Sequence, residues 1–444
     1  MDTEIKGKIV KLSTLVKSIK ADSLNIRDCI DMHQFCAFWG AFDILNYFKD
    51  ITILVHGPAG CLGNTRHLPA MGYHNECDNK PHISTCFTNK EVIFGGEKKL
   101  TDSLMEVNKR YNPRVIAVLT NCCTDIIGDD VEGCIKELPE DLKEKVIYLN
   151  SGGYSGKSYR RGTEMAFELL TKLIPKANCD KNVGSVNIFL RRWIGGQTKQ
   201  EEIQEIERML GMIGVKINQL FDHDISIKDF CEMQNAQLNV ATCLFFGIGL
   251  FDELKNKFNI PYSKATYPLG LFATKKWLNE IVTGLNLNIN IDDLQEVKEL
   301  ESKRRELVSQ IGKGRPCIIW TQTGERMLAL TKLAYELEMD PIVVGVEPAI
   351  VRDKFSMFEK EVLEEGFDVK IFGSKYIEDV HELIEYLGDP IIFCNNNYYP
   401  GRTVFKYKIA QNSIYGFNGT KKLYQEMYNA INKKSSKYSL FVEG

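Results

Sequence analysis

Three cysteines stand at places where a folded chain can put sulfur to chemical use: Cys36 in "FCAFWGA", Cys61 in "HGPAGC" and Cys122 in "LTNCCTDIIGDD". Thiolates are soft ligands, and three of them brought together would suit iron in an iron–sulfur cluster. None of the three belongs to a CxxC pair, so a zinc ribbon is not supported. Spacing alone does not separate a metal site from ordinary burial, because free cysteine is also a small core hydrophobe. The latter reading is given to Cys29, Cys134, Cys179, Cys231, Cys317 and Cys394. Cys123 adjoins Cys122, and Cys86 stands close to this region as another thiol. Cys77 shares a polar loop with His74 and His82, where a metal role competes with plain exposure.

The elements that must position these thiols follow one theme, an apolar strand, a glycine-bearing turn and an amphipathic helix. "ITILVHGPAG" and "RVIAVLTNCC" are strands running into turns, with Cys61 and Cys122 just beyond them; Cys36 precedes a helix. In open α/β sheets ligands gather at the carboxyl ends of strands. The theme restarts after "PKANCDKN" and again after a charged helix ending in "SQIGKG". The expected fold is α/β with three domains, each a Rossmann-like parallel sheet flanked by helices, over residues 1–180, 181–310 and 311–444.

A formal net charge of −3 and scattered basic residues give no electrostatic case for nucleic acid. No apolar run is long enough to span a membrane, no signal peptide is visible, and 13 cysteines in a chain expected in the cytoplasm are not expected to pair as disulfides. "SGGYSGKS" imitates a phosphate loop but is one residue short between its glycines, so it reads as a strand-to-helix turn. Asp129 and Asp130 offer a general acid/base pair or, better, helix-capping carboxylates. Arg160 and Arg161 either meet an anionic ligand or lie on a solvated helix face.

In order along the chain, "VHGPAGC", "VIFGGEKKL" and the spacing from Cys122 to Gly128-Asp129-Asp130 resemble the nitrogenase component 1 family. That family includes the catalytic subunits of nitrogenase, the paired scaffold on which its cofactor matures, and related reductases. The resemblance is densest over residues 30–165. It implies that Cys36, Cys61 and Cys122 bind an iron–sulfur cluster, four-iron or P-cluster-like, shared at the interface with a homologous subunit. It also implies a separate ATP-dependent iron–sulfur reductase as electron donor, in keeping with the failed phosphate loop. Cys243, in "NVATCLFFGIGLFDELKNKFNIP", matches the place where the family anchors one end of a larger iron–sulfur cofactor; core packing is the competing reading.

Other positions depart from the pattern. The segment "FKYKIAQNSIYG" has no histidine to hold the far end of such a cofactor, Thr163 stands where a substrate-side histidine is expected, and the loop "WTQTGER" keeps only Gly324 and Arg326. Dinitrogen reduction is therefore not expected. Two functions stay open: a reductase subunit that passes electrons to a bound cofactor or substrate, and a scaffold for assembly of a nitrogenase-type cofactor. Loss of the cluster in an α/β ligand-binding protein is the third reading, and the retained cysteines argue against it.

Overall fold

The computed structural model describes residues 9–14, 36–70, 81–154, 158–175, 181–190, 200–222, 225–242, 244–264, 267–320, 324–344, 363, 366–372, 377–388, 390–394, 406–408 and 415–432. They fall into two compact units, one within Met32–Lys199 and Gly214–Lys264, the other within Met1–Asp31, Gln200–Ile213 and Ala265–Gly444. Strand β1 (Ile9–Lys11) belongs to the second. No described helix is long and apolar enough to cross a membrane.

The first unit carries two parallel sheets. Strands β2 (Ile51–His56), β3 (His82–Ser84), β4 (Val115–Thr120) and β5 (Val146–Leu149) are ordered β3-β2-β4-β5. Every residue of β2 and β4 is buried, as expected of parallel strands covered on both faces. Alternation then assigns side chains to two cores. Ile51, Ile53, Val55, Val115, Ala117 and Leu119 join one, while Leu54, Ile116 and Val118 meet Leu100, Leu104 and Val131 in the other. Strands β6 (Ser185–Phe189), β7 (Lys216–Phe221) and β8 (Leu238–Ala241) form the second sheet, ordered β7-β6-β8.

The helices of this unit that bear on the cysteine-carrying edge are α1 (Ala37–Leu45), α2 (Ala59–Ala70), α3 (Asn89–Phe94), α4 (Glu97–Tyr111), α5 (Cys122–Ile127), α6 (Val131–Lys136) and α7 (Tyr159–Leu170). Helices α1 and α7 pack backbone to backbone. A Cβ on Gly40 would lie 1.9 Å from the Tyr159 carbonyl oxygen, and one on Gly162 would lie 2.0 Å from that of Ala37. That approach seats the start of α1, and Cys36 just before it, beside the chain leaving β5.

The second unit holds the sheet β1-β11-β10-β9-β12-β13, built from β9 (Pro316–Trp320), β10 (Asp340–Val344), β11 (Lys370–Phe372), β12 (Ile391–Cys394) and β13 (Lys406–Lys408). All its pairings are parallel except β1 with β11. Around it, α8 (Gln200–Met212), α9 (Leu271–Gly284), α10 (Gly324–Glu336) and α11 (Gly416–Asn432) meet through two buried acids. Glu336 accepts from the backbone N–H groups of Leu271 and Phe272, at 3.0 and 2.7 Å, and from the Tyr424 hydroxyl. Glu205 accepts from the Asn418 backbone N–H at 2.9 Å and its side-chain amide at 2.6 Å. Each carboxylate thereby satisfies the open first turn of a helix from another part of the chain. The expectation of parallel α/β sheets flanked by helices is met.

The α1–α7 contact is testable. Gly162→Ala should lower unfolding free energy by about 2–3 kcal/mol, as overpacking against unyielding backbone does; denaturant titration against Gly211→Ala, where nothing lies within 4 Å, is the control.

Candidate functional site

The expected cysteines all lie toward the carboxyl edge of the first sheet. Cys61 lies in the opening turn of α2, two residues past its first residue and five past the end of β2; Cys122 opens α5 directly after β4 and Asn121. Cys36 is the residue before α1 and pairs in an isolated antiparallel bridge with Ser158, just before α7. The loop after β5 closes on it: a Cβ on Gly153 would sit 2.4 Å from the Cys36 Cβ, so only glycine admits this approach. The phosphate-loop look-alike thus spends a glycine on holding a cysteine; its residues 155–157 lie outside the described set.

Cys36, Cys61, Cys122 and Cys123 are all half-buried and unpaired. Burial pushes the Cys61 thiol up first, and Cys36, Cys122 and Cys123 push it further, so all three act on it electrostatically. Deprotonating such a group together is unfavourable unless a cation compensates, which is what metal binding supplies. Cys123 is raised by burial, then by Asp129 and Cys122. Among the described residues no three Cys, His, Asp or Glu side chains stand close enough to enclose a single metal ion, a looser arrangement than a structural zinc site needs.

A single carboxylate braces this edge. Asp129 accepts from His56 Nε2 at 3.1 Å and from the Gly96 backbone N–H at 3.0 Å to each oxygen. The His56 and Asp129 side chains are 0% and 2% exposed. An ionised carboxylate only accepts, so His56 carries its proton on Nε2, leaving Nδ1 to accept from the Thr85 hydroxyl at 3.3 Å. Burial depresses the imidazole below its ordinary 6.5, outweighing the pull of Asp129. Asp130 caps α6 through the Gly133 N–H at 2.8 Å, and its own N–H donates to Glu97 at 3.3 Å. The capping expectation therefore describes Asp130, whereas Asp129 is a buried brace and not a free acid/base. The motifs containing His56, Gly96 and Asp129 are three parts of one joint.

The other candidates have different surroundings, although Cys86 lies two residues past β3 at the same sheet edge. Cys86 is exposed at φ 51°, and its carbonyl accepts from Lys99. Cys134, Cys231 and Cys317 are core or core-edge side chains; Cys134 and Cys231 point their sulfurs at the carbonyls of Glu97 and Leu173. His82 is bonded to Asn46 at 2.9 Å and set edge-on to Phe42. Arg161 pairs with Glu168 at 2.7 Å and Glu164 at 3.5 Å on a half-exposed helix face. Thr163 is buried. Cys243, Cys77, His74, Cys29 and Cys179 lie outside the described residues, as do the side chains of Cys394, Arg160 and Arg326. Sequence reasoning missed two features: the amide of Asn121, whose Oδ1 caps α5, and the exposed apolar side chains around the edge, Ile93, Phe94, Ile126 and Tyr154, at 71%, 78%, 62% and 74% exposure. The "VIF" triplet after the polar "NKE" was the available signal for Ile93 and Phe94.

A family model for nitrogenase component 1 type oxidoreductases matches residues 36–432. The chain belongs to that family. It is 27% identical over 401 residues to the nitrogenase iron-molybdenum cofactor biosynthesis protein NifE of Clostridium pasteurianum, covering 85% of each chain. It is 26% identical over 392 residues to the nitrogenase molybdenum-iron protein alpha chain of Methanosarcina barkeri, covering 84% of this chain and 70% of that one. A solved structure of nitrogenase Cp1 at pH 6.5 superposes with a TM-score of 0.68 at 20% identity, over 90% of this chain and 93% of that chain, a likeness of fold.

The brace makes a pH-dependent prediction. Because the folded imidazole titrates below 6.5, acidification through that value protonates His56 in the unfolded chain before the folded one, and stability is lost as the pH falls. Unfolding free energy should fall less steeply with acid in His56→Gln, which keeps a donor but does not titrate. Asp129→Ala should cost about 2–3 kcal/mol at neutral pH, the usual scale for losing hydrogen bonds to a charged group and leaving buried donors unmet.

Proposed function

We propose that this chain is the assembly member of the nitrogenase component 1 family: a protein that works with a homologous subunit, holds an iron–sulfur cluster at their interface and carries an immature nitrogenase-type cofactor for transfer. The convergence of Cys36, Cys61 and Cys122 on one sheet edge carries the cluster part of this reading. The donor set fits: soft sulfur ligands, mutual repulsion that a cation would relieve, and half-burial that leaves one side of the site for further ligands. Such a cluster, when bound, supplies single-electron transfer. The chain's own contribution is to fix three thiols by a glycine-gated loop, two strand ends and the Asp129 brace. Ile126 and Tyr154, exposed beside these cysteines, are large apolar side chains of the kind a partner subunit covers. A similar subunit facing this edge would supply the remaining ligands.

Two observations favour assembly over turnover. The C. pasteurianum relative matched over 85% of both chains is a cofactor biosynthesis protein. The sequence also lacks a histidine throughout "FKYKIAQNSIYG", so a cofactor held through Cys243 would be gripped at one end and could be released. The second reading, a reductase subunit fed by a separate ATP-dependent iron–sulfur protein, draws on the similarity to the M. barkeri alpha chain.

Anaerobic purification with the co-expressed homologous subunit, followed by iron and sulfide analysis and EPR, tests both. Cys61→Ala should remove about four irons per subunit pair, the content of one [4Fe–4S] cluster, and full iron retention would sink the cluster assignment. For assembly, the wild-type pair should hold much more iron than that, lose the excess in Cys243→Ala, and activate a cofactor-free nitrogenase component 1. An iron content limited to the interface cluster, with reduction of a bound organic substrate, would select the reductase instead.

A further inference from the structure

Asn121 is 2% exposed and stands between β4 and Cys122. Its Oδ1 accepts from the Cys123 and Thr124 backbone N–H groups at 3.0 and 3.4 Å, capping α5. Only the oxygen of an amide can accept from N–H, so this cap fixes which end of the side chain is Nδ2. The whole amide lies against the loop leading to Cys61: a Cβ on Gly57 would be 2.2 Å from Nδ2 and 2.6 Å from both Cγ and Oδ1, and Gly57 has φ +146°, a conformation that itself favours glycine. The amide is therefore wedged between the two turns that deliver Cys61 and Cys122. Its N–H₂ is buried, and it has no acceptor among the described residues.

A buried donor without an acceptor is destabilising, so a fold that keeps one has a use for it. The choice of residue adds weight. Asp, Ser and Asn cap a helix about equally well, but only Asn carries a donor pair on the far side of the cap. Sulfur in thiolates and iron–sulfur clusters accepts hydrogen bonds, and such bonds stabilise the reduced, more negative state.

We infer that the Asn121 side-chain amide donates to a sulfur of the cluster or thiolates held by Cys61 and Cys122, as a positioning residue that raises the cluster's reduction potential. This rests on the cluster reading above. Asn121 does not coordinate metal; it acts through sulfur, and the Gly57 backbone is shaped to admit it.

The test uses the anaerobically purified pair of subunits, with Asn121→Ser and Asn121→Asp, both of which keep a capping oxygen. Iron content should stay at the wild-type level in both, and thermal melting should stay there in Asn121→Ser; Asn121→Asp buries a carboxylate oxygen without a donor and should melt lower. The midpoint potential, read by EPR-monitored redox titration, should shift negative in both, and further in Asn121→Asp, which adds charge. Pulsed EPR of reduced wild-type protein carrying ¹⁵N-asparagine should show a nitrogen coupling and an exchangeable-proton coupling that Asn121→Ser loses. Unchanged potential in Asn121→Ser with iron retained, or no nitrogen coupling in the wild type, overturns the inference and leaves the cluster standing. Wild-type protein without iron overturns the cluster reading and this one with it. Should Asn121→Ser fold poorly, the wild-type nitrogen coupling decides alone.

Discussion

The Asp129 carboxylate reaches 73 residues back to His56 and 33 residues back to Gly96, and the sheet edge that carries the cysteines depends on that reach. A desolvated carboxylate is costly unless every oxygen is met by a donor. Here the donors come from the end of β2 and from the turn between α3 and α4, so the acid fixes both relative to the turn between α5 and α6. Thr124 adds a bond from its hydroxyl to the His56 carbonyl. The residues that lead to Cys61 and those that follow Cys122 are thereby parts of one rigid corner, and rigidity is what a ligand set needs if its geometry is to survive a change of charge.

The same device recurs in the other unit. Glu336 and Glu205 each turn a buried carboxylate onto the first turn of a helix remote in sequence, and Arg208 holds Glu205 against Glu296 at 2.8 and 2.6 Å. A helix N-terminus offers unpaired N–H groups and partial positive charge, so it accepts a buried acid where an apolar core would not. Both units thus use acids as internal ties between segments, and the Asp129 tie acts on the neighbouring Cys123 thiol. Burial also raises Glu336 and, strongly, Tyr424, which share a hydrogen bond. That pairing is structural and lies in the unit without the cysteine edge.

At the cysteine edge, attraction and repulsion divide the labour. Apolar packing behind Cys36 and Cys61 and the glycine contact at Gly153 bring the thiols together. Their mutual repulsion, felt at Cys61, opposes their joint ionisation. Burial and this repulsion keep Cys61 protonated, and Ile126 and Tyr154 stand exposed nearby. Under the proposed function, a bound cluster would relieve the first feature and a partner subunit would cover the second.

The sequence by itself determined the α/β class, because parallel strands buried on both faces must read as continuous apolar runs, as "ITILVH" and "VIAVLT" do. It also singled out Cys36, Cys61 and Cys122, since each follows a strand or precedes a helix within a long, ordered motif. Family membership was legible for the same reason. What it could not determine were relations across distance. The words "HGPAGC", "FGGEKK" and "GDD" are separate in the chain, and nothing local says that one carboxylate joins them. Nor does spacing reveal that Gly153 exists to admit Cys36, or that Gly40 and Gly162 let two helices touch through their backbones. The donor left over on Asn121 is equally silent in sequence, because whether an amide hydrogen has an acceptor depends on everything packed around it. Periodicity and motif are properties of neighbours along the chain; burial, repulsion and unmet hydrogen bonds are properties of neighbours in space, and only the tertiary structure decides who those are.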